Sequence, residues 1–234
     1  MNTPLPIGIL LSGNGSNLQA IIDAIEAGSV NAEIKIVISS RPSAYGLVRA
    51  ERAGIPTFSM TPKQYAEDKI EADKVIAQQL LDHGVKYVIM SGYMRMVHSP
   101  ILNAFPNSVV NLHPALLPSF PGAHAIDEAY DSGVKITGVT VHFANEVYDD
   151  GSIIAQCPVE VQESWTRDDL EAAIHRVEHK LYPETIQMIA EGRVKVLPDG
   201  KTQVDGKPPM RVSVDKNDSP FIWHGVRVVK GYAW

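Results

Sequence analysis

Apolar and polar positions follow two rhythms along this chain, and the rhythms trade places for most of its length. Residues 7–11 form a short unbroken apolar run, the pattern of a strand buried on both faces. A glycine-rich turn follows, then apolar positions at helical spacing over 18–27, stopped by Gly28. The alternation repeats with a strand at 34–38, a helix over 45–53 stopped by Gly54, and a short strand at 57–58. The pattern predicts one long helix over 63–83, strands at 87–90 and 109–112, and a short helical segment after Ser99-Pro100. This βαβ rhythm predicts an α/β fold: a mostly parallel, doubly wound (Rossmann-like) sheet with helices on both faces.

The rhythm changes after about residue 136. Residues 137–143 alternate like a strand and 153–161 form another, joined by the short loop 144–151. So short a connection makes the two antiparallel neighbours, which places antiparallel strands at the C-terminal side of the sheet. A long helix is expected over 168–189, with Thr166 in the N-cap position, Asp168, Asp169 and Glu171 in its first turn, and Gly192 past its end. Residues 1–195 read as one domain. Residues 196–234, rich in Gly, Pro and β-formers, read as a β-hairpin extension packed on the same domain.

Composition narrows the class. The chain has 234 residues, 44% hydrophobic and 21% charged, enough to bury a core without staples and too balanced for disorder. A net charge of −6 argues against a nucleic-acid partner. Cys157 is the single cysteine, so no intrachain disulfide can form. The N-terminal segment reads as a first strand rather than a signal peptide, and no apolar stretch reaches span length. The expectation is a cytoplasmic protein, monomer or homodimer, acting on small molecules with no membrane or nucleic-acid partner.

Three segments carry candidate chemistry. Ser12-Gly13-Asn14-Gly15-Ser16-Asn17 lies between the first strand and first helix, where exposed helix N–H groups attract an anion. Leu18 replaces the third glycine of a dinucleotide fingerprint, and no acidic residue ends the second strand, so a single phosphate suits the turn better than a pyrophosphate. A plain capped turn is the alternative. At the end of the strand 109–112, alternation puts Asn111 and His113 on one face, and Pro114 stops the strand beside them. An amide and an imidazolium there can donate to an oxygen that gains charge during acyl transfer; the alternative is a core-satisfied histidine. The loop Asn145-Glu146-Val147-Tyr148-Asp149-Asp150 concentrates carboxylates, and one folded against His113 would favour its protonated form. A fourth segment, His175-Arg176-Val177-Glu178-His179, matches the H-x-x-E-H pattern of a zinc protease, with a pair of surface histidines as the bland reading.

Together these segments resemble the phosphoribosylglycinamide formyltransferase family. The resemblance rests on SGNGSNLQAII, SGYMRMV, NLHPALLPSFPGAH, TVHFANEVYDDGSIIAQ and VEHKLYP, which fall in family order over roughly residues 7–195. NLHPALLP is shared by folate-dependent formyltransferases at large; the glycine turn points to a ribonucleotide acceptor. The resemblance implies a formyl group passed from 10-formyltetrahydrofolate, as co-substrate and without a metal, to the amine of 5-phosphoribosylglycinamide. It implies Asn111 and His113 as oxyanion donors and Asp149, chosen over Asp150 by register, as the group that tunes His113. It implies Gly15, Ser16 and Asn17 around the acceptor phosphate and Glu178 at its ribose. The folate is implied against Met94, Arg95, Met96, Val97 and the loop Asn145, Glu146, Val147, Tyr148 and Asp149. Lys69 stands where the family often has an arginine for the folate's acidic tail. The alternatives are another folate-dependent formyltransferase, a formyltetrahydrofolate hydrolase, a non-catalytic nucleotide-binding module, and the zinc protease through His175, Glu178 and His179.

Overall fold

The computed structural model describes residues 3–204. Seven strands form one sheet in the order β3-β2-β1-β4-β5-β6-β7. These are β1 (Leu5–Leu11), β2 (Ala32–Ser39), β3 (Thr57–Ser59), β4 (Tyr87–Met90), β5 (Val109–His113), β6 (Ile136–Phe143) and β7 (Ile153–Glu160). β3, β2, β1, β4 and β5 run parallel, and β6 is antiparallel to both β5 and β7. The mixed, doubly wound sheet expected from the sequence is the one found. Strand order reverses between β1 and β4, and a crevice at such a reversal is where open α/β sheets bind ligands.

Side-chain alternation divides the core between the two faces. From β1, Ile7, Ile9 and Leu11 enter one cluster with helices α1 (Ser16–Glu26), α2 (Tyr45–Arg52) and the long C-terminal helix. Leu10 enters the other, beside Ile76 and Leu80. Each fully buried Leu or Ile contributes roughly 1.5–3 kcal/mol. In β5, Val110 and Leu112 join the first cluster and Val109 the second. Asn111 and His113 therefore share the face of Val109, at the carboxyl end of the strand.

The structure corrects the helix expected over 63–83. It is two helices, α3 (Pro62–Glu67) and α4 (Lys69–Asp82), with Asp68 in extended geometry between them. The physical reason is capping. Thr61 and Gln64 close a capping box at the start of α3, and the Asp68 carboxylate accepts from the Ile70 and Glu71 N–H groups to start α4. After α5 (Ser99–Ala104) comes a helix the sequence reading lacked, α6 (Ala125–Asp131). The last helix, α7 (Arg167–Ala190), begins at the Thr166 cap as expected. A hairpin of β8 (Val194–Val196) and β9 (Thr202–Val204) follows. The remainder of the expected extension, 205–234, lies outside the described residues. Among the described residues no helix is long and apolar enough to cross a membrane.

Candidate active site

The turn after β1 is built from backbone. Gly15 caps α1 with φ 76°, the left-handed region that glycine enters without strain. A Cβ there would lie 2.7 Å from Gly46 Cα, so α2 also requires the glycine. The start of α1 has no side-chain cap, which leaves its first N–H groups for an anion. Gly46 N–H donates to the Gly13 carbonyl at 3.1 Å. Arg49, which the sequence reading missed, clamps the turn: Nε donates to the Asn14 carbonyl at 2.9 Å and Nη2 to Asn14 Oδ1 at 2.8 Å. Ser16, Gln19, Arg49 and His179 border a cleft on this side.

Glu178 comes to the same turn from α7. Asn17 Nδ2 donates to its Oε2 at 3.0 Å, and His175 Nδ1 lies 2.8 Å from the same oxygen. The bond to Glu178 raises the His175 pKa against the opposing effect of burial. This geometry corrects the zinc-protease reading. The rings of His175 and His179 stack at 6.2 Å with 7° between planes, and Glu178 is bonded to the first of them. Two zinc-binding histidines would converge on one point with the glutamate held back as a base. His175 belongs to the support of the turn, and His179 borders the cleft beside it.

At the end of β5 the expected triad meets. His113 Nδ1 lies 3.4 Å from Asp149 Oδ2, and Asn111 Nδ2 donates to Asp149 Oδ1 at 3.3 Å. The Gly122 N–H donates to Asp149 Oδ2 at 2.8 Å, and His113 Nε2 donates to the Phe120 carbonyl at 2.7 Å. Both ring nitrogens of His113 thus face oxygen acceptors. Burial works to raise the Asp149 carboxyl. The bonds from His142 and Gly122, with the nearby charge of His113 and His142, outweigh it and hold the group below the usual carboxylate range.

His142 was missed from sequence. It pairs directly with Asn111 across β5 and β6, its Nε2 lying 3.1 Å from Asn111 Nδ2 and 3.6 Å from Asp149 Oδ1. Alternation in β6 puts it two residues from Thr140, but only the strand register shows that it faces Asn111. Thr140 itself fixes the corner after Pro114, donating to the Ala115 carbonyl at 2.7 Å and accepting from Leu117 N–H at 3.0 Å. That corner returns the chain so that Phe120 and Gly122 reach the triad.

The expected folate residues partly assemble. Lys69, Met94, Arg95, Met96 and Tyr148 line one cleft together with Tyr65 and His98. Met94 and Tyr148 are 57% and 54% exposed, apolar surface open to a ligand. Met94 N–H donates to Ser12 Oγ at 2.8 Å, which joins this cleft to the end of β1. Arg95 turns inward, stacking 4.0 Å over the Tyr65 ring and donating to the Ser40 carbonyl at 2.7 Å. Val97 departs from the expectation. It is 3% exposed and packs in the second core cluster, so its side chain is core and not cleft wall. In the acidic loop Asn145 Oδ1 accepts from the Val147 N–H at 2.9 Å, while Glu146 and Val147 stand at the surface.

A sheet with this strand order has solved counterparts. The chain belongs to the formyl transferase family, which it matches over residues 6–186, and is thus an enzyme that transfers formyl groups. Among its relatives, the phosphoribosylglycinamide formyltransferase of Bacillus subtilis (strain 168) is 39% identical over 181 residues, 77% of this chain and 92% of that protein. The phosphoribosylglycinamide formyltransferase of Escherichia coli (strain K12) is 34% identical over 213 residues, 90% of this chain and 99% of that one. The crystal structure of glycinamide ribonucleotide transformylase 1 from Symbiobacterium toebii superposes with a TM-score of 0.83 at 43% identity, covering 87% of this chain and 95% of that one.

Proposed function

We propose that this enzyme transfers the formyl group of 10-formyltetrahydrofolate to the amine of 5-phosphoribosylglycinamide. The observation that carries the reading is the meeting of Asn111, His113 and Asp149 at the carboxyl end of β5. One cleft of the molecule is bordered by the phosphate-ready turn and another by Lys69, Met94 and Tyr148. β4 lies between β1 and β5, so the loops leaving their ends stand side by side.

In this reading the phosphate of the acceptor takes the N–H groups of Gly15, Ser16 and Asn17, and Glu178 receives ribose hydroxyls. The folate lies along Met94, Arg95 and Met96, with its pterin against the loop Asn145–Asp149. Its acidic tail extends toward Lys69. The neutral amine attacks the formyl carbon, and the C=O π pair moves onto oxygen. The Asn111 amide and the protonated His113 ring turn from Asp149 to donate to that oxygen. Such bonds are long without substrate and tighten in the transition state. Collapse of the tetrahedral intermediate breaks the bond to folate N10. N10 takes up a proton, the attacking nitrogen loses one, and Asp149 with His113 provides the relay between them. Asp149 keeps its charge because partners hold its pKa down, so it favours the ring's protonated form. The same reading treats residues 1–195 as the transferase domain and 196–234 as its extension; packing of Val194, Val196 and Val204 against the core supports this.

The test is purified protein with both substrates, following tetrahydrofolate release. Acceptor-dependent release is expected. Release without acceptor would make the enzyme a hydrolase, and no release with this acceptor would overturn the assignment.

A further inference from the structure

Asp73 of α4 is fully buried, at 0% exposure, and a carboxylate so far from water must find partners. Its Oδ2 accepts both the backbone N–H and the ring Nδ1–H of His98, each at 2.8 Å. One oxygen therefore fixes the position of residue 98, the orientation of its ring and the nitrogen that faces inward. The other oxygen, Oδ1, has no partner among the described residues, so His98 alone bonds this carboxylate there. The His98 ring is 23% exposed and lines the cleft that holds Lys69 and Arg95, and its Nε2 bonds none of the described residues. The lining of that cleft includes three basic side chains and no acidic one, a composition that selects an anion.

We propose that His98, oriented by Asp73, is a specificity-determining residue that takes a carboxylate of the co-substrate's acidic tail; this rests on the proposed function. The ring thus turns Nδ1 to Asp73 behind it and Nε2 to the cleft in front, where Nε2–H can donate to a carboxylate. Asp73 acts through His98 and is a positioning residue. Because Asp73 lies behind the ring, the tail carboxylate meets the outer nitrogen without displacing any bond now made.

The experiment compares 10-formyltetrahydrofolate with 10-formyltetrahydropteroate, which lacks the glutamate. His98→Ala is expected to raise KM for the glutamate-bearing co-substrate about 5-fold, the size of a partly exposed ionic contact, with KM for the pteroate and for the acceptor unmoved. Asp73→Ala is expected to give the same pattern, with no further rise in the double variant, because the two residues act as one unit. Asp73→Asn keeps an acceptor for His98 and is expected to restore KM to within about twofold of the parent enzyme. An equal rise for both co-substrates would make His98 a wall of the cleft and overturn the inference, as would no rise at all. If Asp73→Ala does not fold, the His98→Ala comparison decides alone. Absence of acceptor-dependent transfer in the parent enzyme would sink the proposed function itself, whereas normal transfer with KM unmoved in His98→Ala sinks only this inference.

Discussion

The turn after β1 and the cluster at the end of β5 solve two problems of charge in opposite ways. Under the proposed function the turn meets a charge the ligand already carries, and it does so with contiguous backbone: one glycine in the left-handed region and a helix start without a side-chain cap. Under the same proposal the cluster meets a charge that appears only during reaction. It uses side chains from β5, β6 and two loops, spread over residues 111–149. A standing charge can be met by fixed dipoles at a helix end, which any short segment supplies. A transient charge needs donors aimed at one point and a proton source, which no single segment provides.

The sharpest way to break this contrast is at the cluster. In the proposed mechanism Asn111→Ala removes one donor to the developing oxyanion, and kcat is expected to fall by about 10²–10³ with acceptor affinity retained. Pre-steady-state turnover and direct acceptor binding measure the two effects separately; equal loss of both would make Asn111 a binding residue.

At the turn the largest effect falls on the fold. Gly15→Ala forces an L side chain into φ 76° against Gly46, and the loss of unfolding free energy is expected to be on the order of 2–3 kcal/mol. Denaturant titration reads it, and an unchanged midpoint would mean the turn yields easily.

A smaller effect separates a carboxylate held down by its partners from one pushed up by burial. Glu184, on α7, has Oε2 with no partner among the described residues, and burial pushes its pKa from 4.5 to about 7. Its folded form holds the proton more tightly than its unfolded form. The stability it supports is complete below about pH 4.5 and is lost as pH rises through 7. Glu184→Gln is expected to abolish that loss and gain about 1–2 kcal/mol at pH 8, discounted for partial screening by solvent. Asp149 has the opposite sign. Its pKa is depressed, so its contribution is present above the usual 3.8 and is lost as pH falls below that value through the folded pKa. Unfolding free energies across pH 3–8 for parent, Glu184→Gln and Asp149→Asn test both slopes.

The smallest effect is at the clamp of the turn. Arg49→Ala leaves Asn14 unheld, and acceptor KM is expected to rise about 5-fold, near 1 kcal/mol, with co-substrate KM unchanged. Steady-state kinetics in both substrates reads it; an equal rise in co-substrate KM would remove Arg49 from the turn's side of the comparison.

What could be read from sequence follows the same division. Continuous apolar runs marked the strands because a strand covered on both faces must be apolar throughout. Asn111 and His113 stood out because alternation places them together just before a proline. The break at Asp68 was written in Thr61-Pro62 and Asp68 itself, yet the apolar periodicity on either side overrode those capping signals. Val97 illustrates the reverse error: it sits inside a recognisable motif, but the chain's path sends it into the core.

The sequence by itself determined the order of the strands, the backbone form of the glycine turn and two of the triad's side chains, because each follows from local periodicity, glycine freedom and strand alternation. The tertiary structure alone decided that His142 faces Asn111, that Phe120 and Gly122 return to His113 and Asp149, and that Asp73 lies beneath His98. Those contacts depend on strand register and on loops folding back across the sheet edge, where the partners are 7 to 38 residues apart in the chain and no local rule links them.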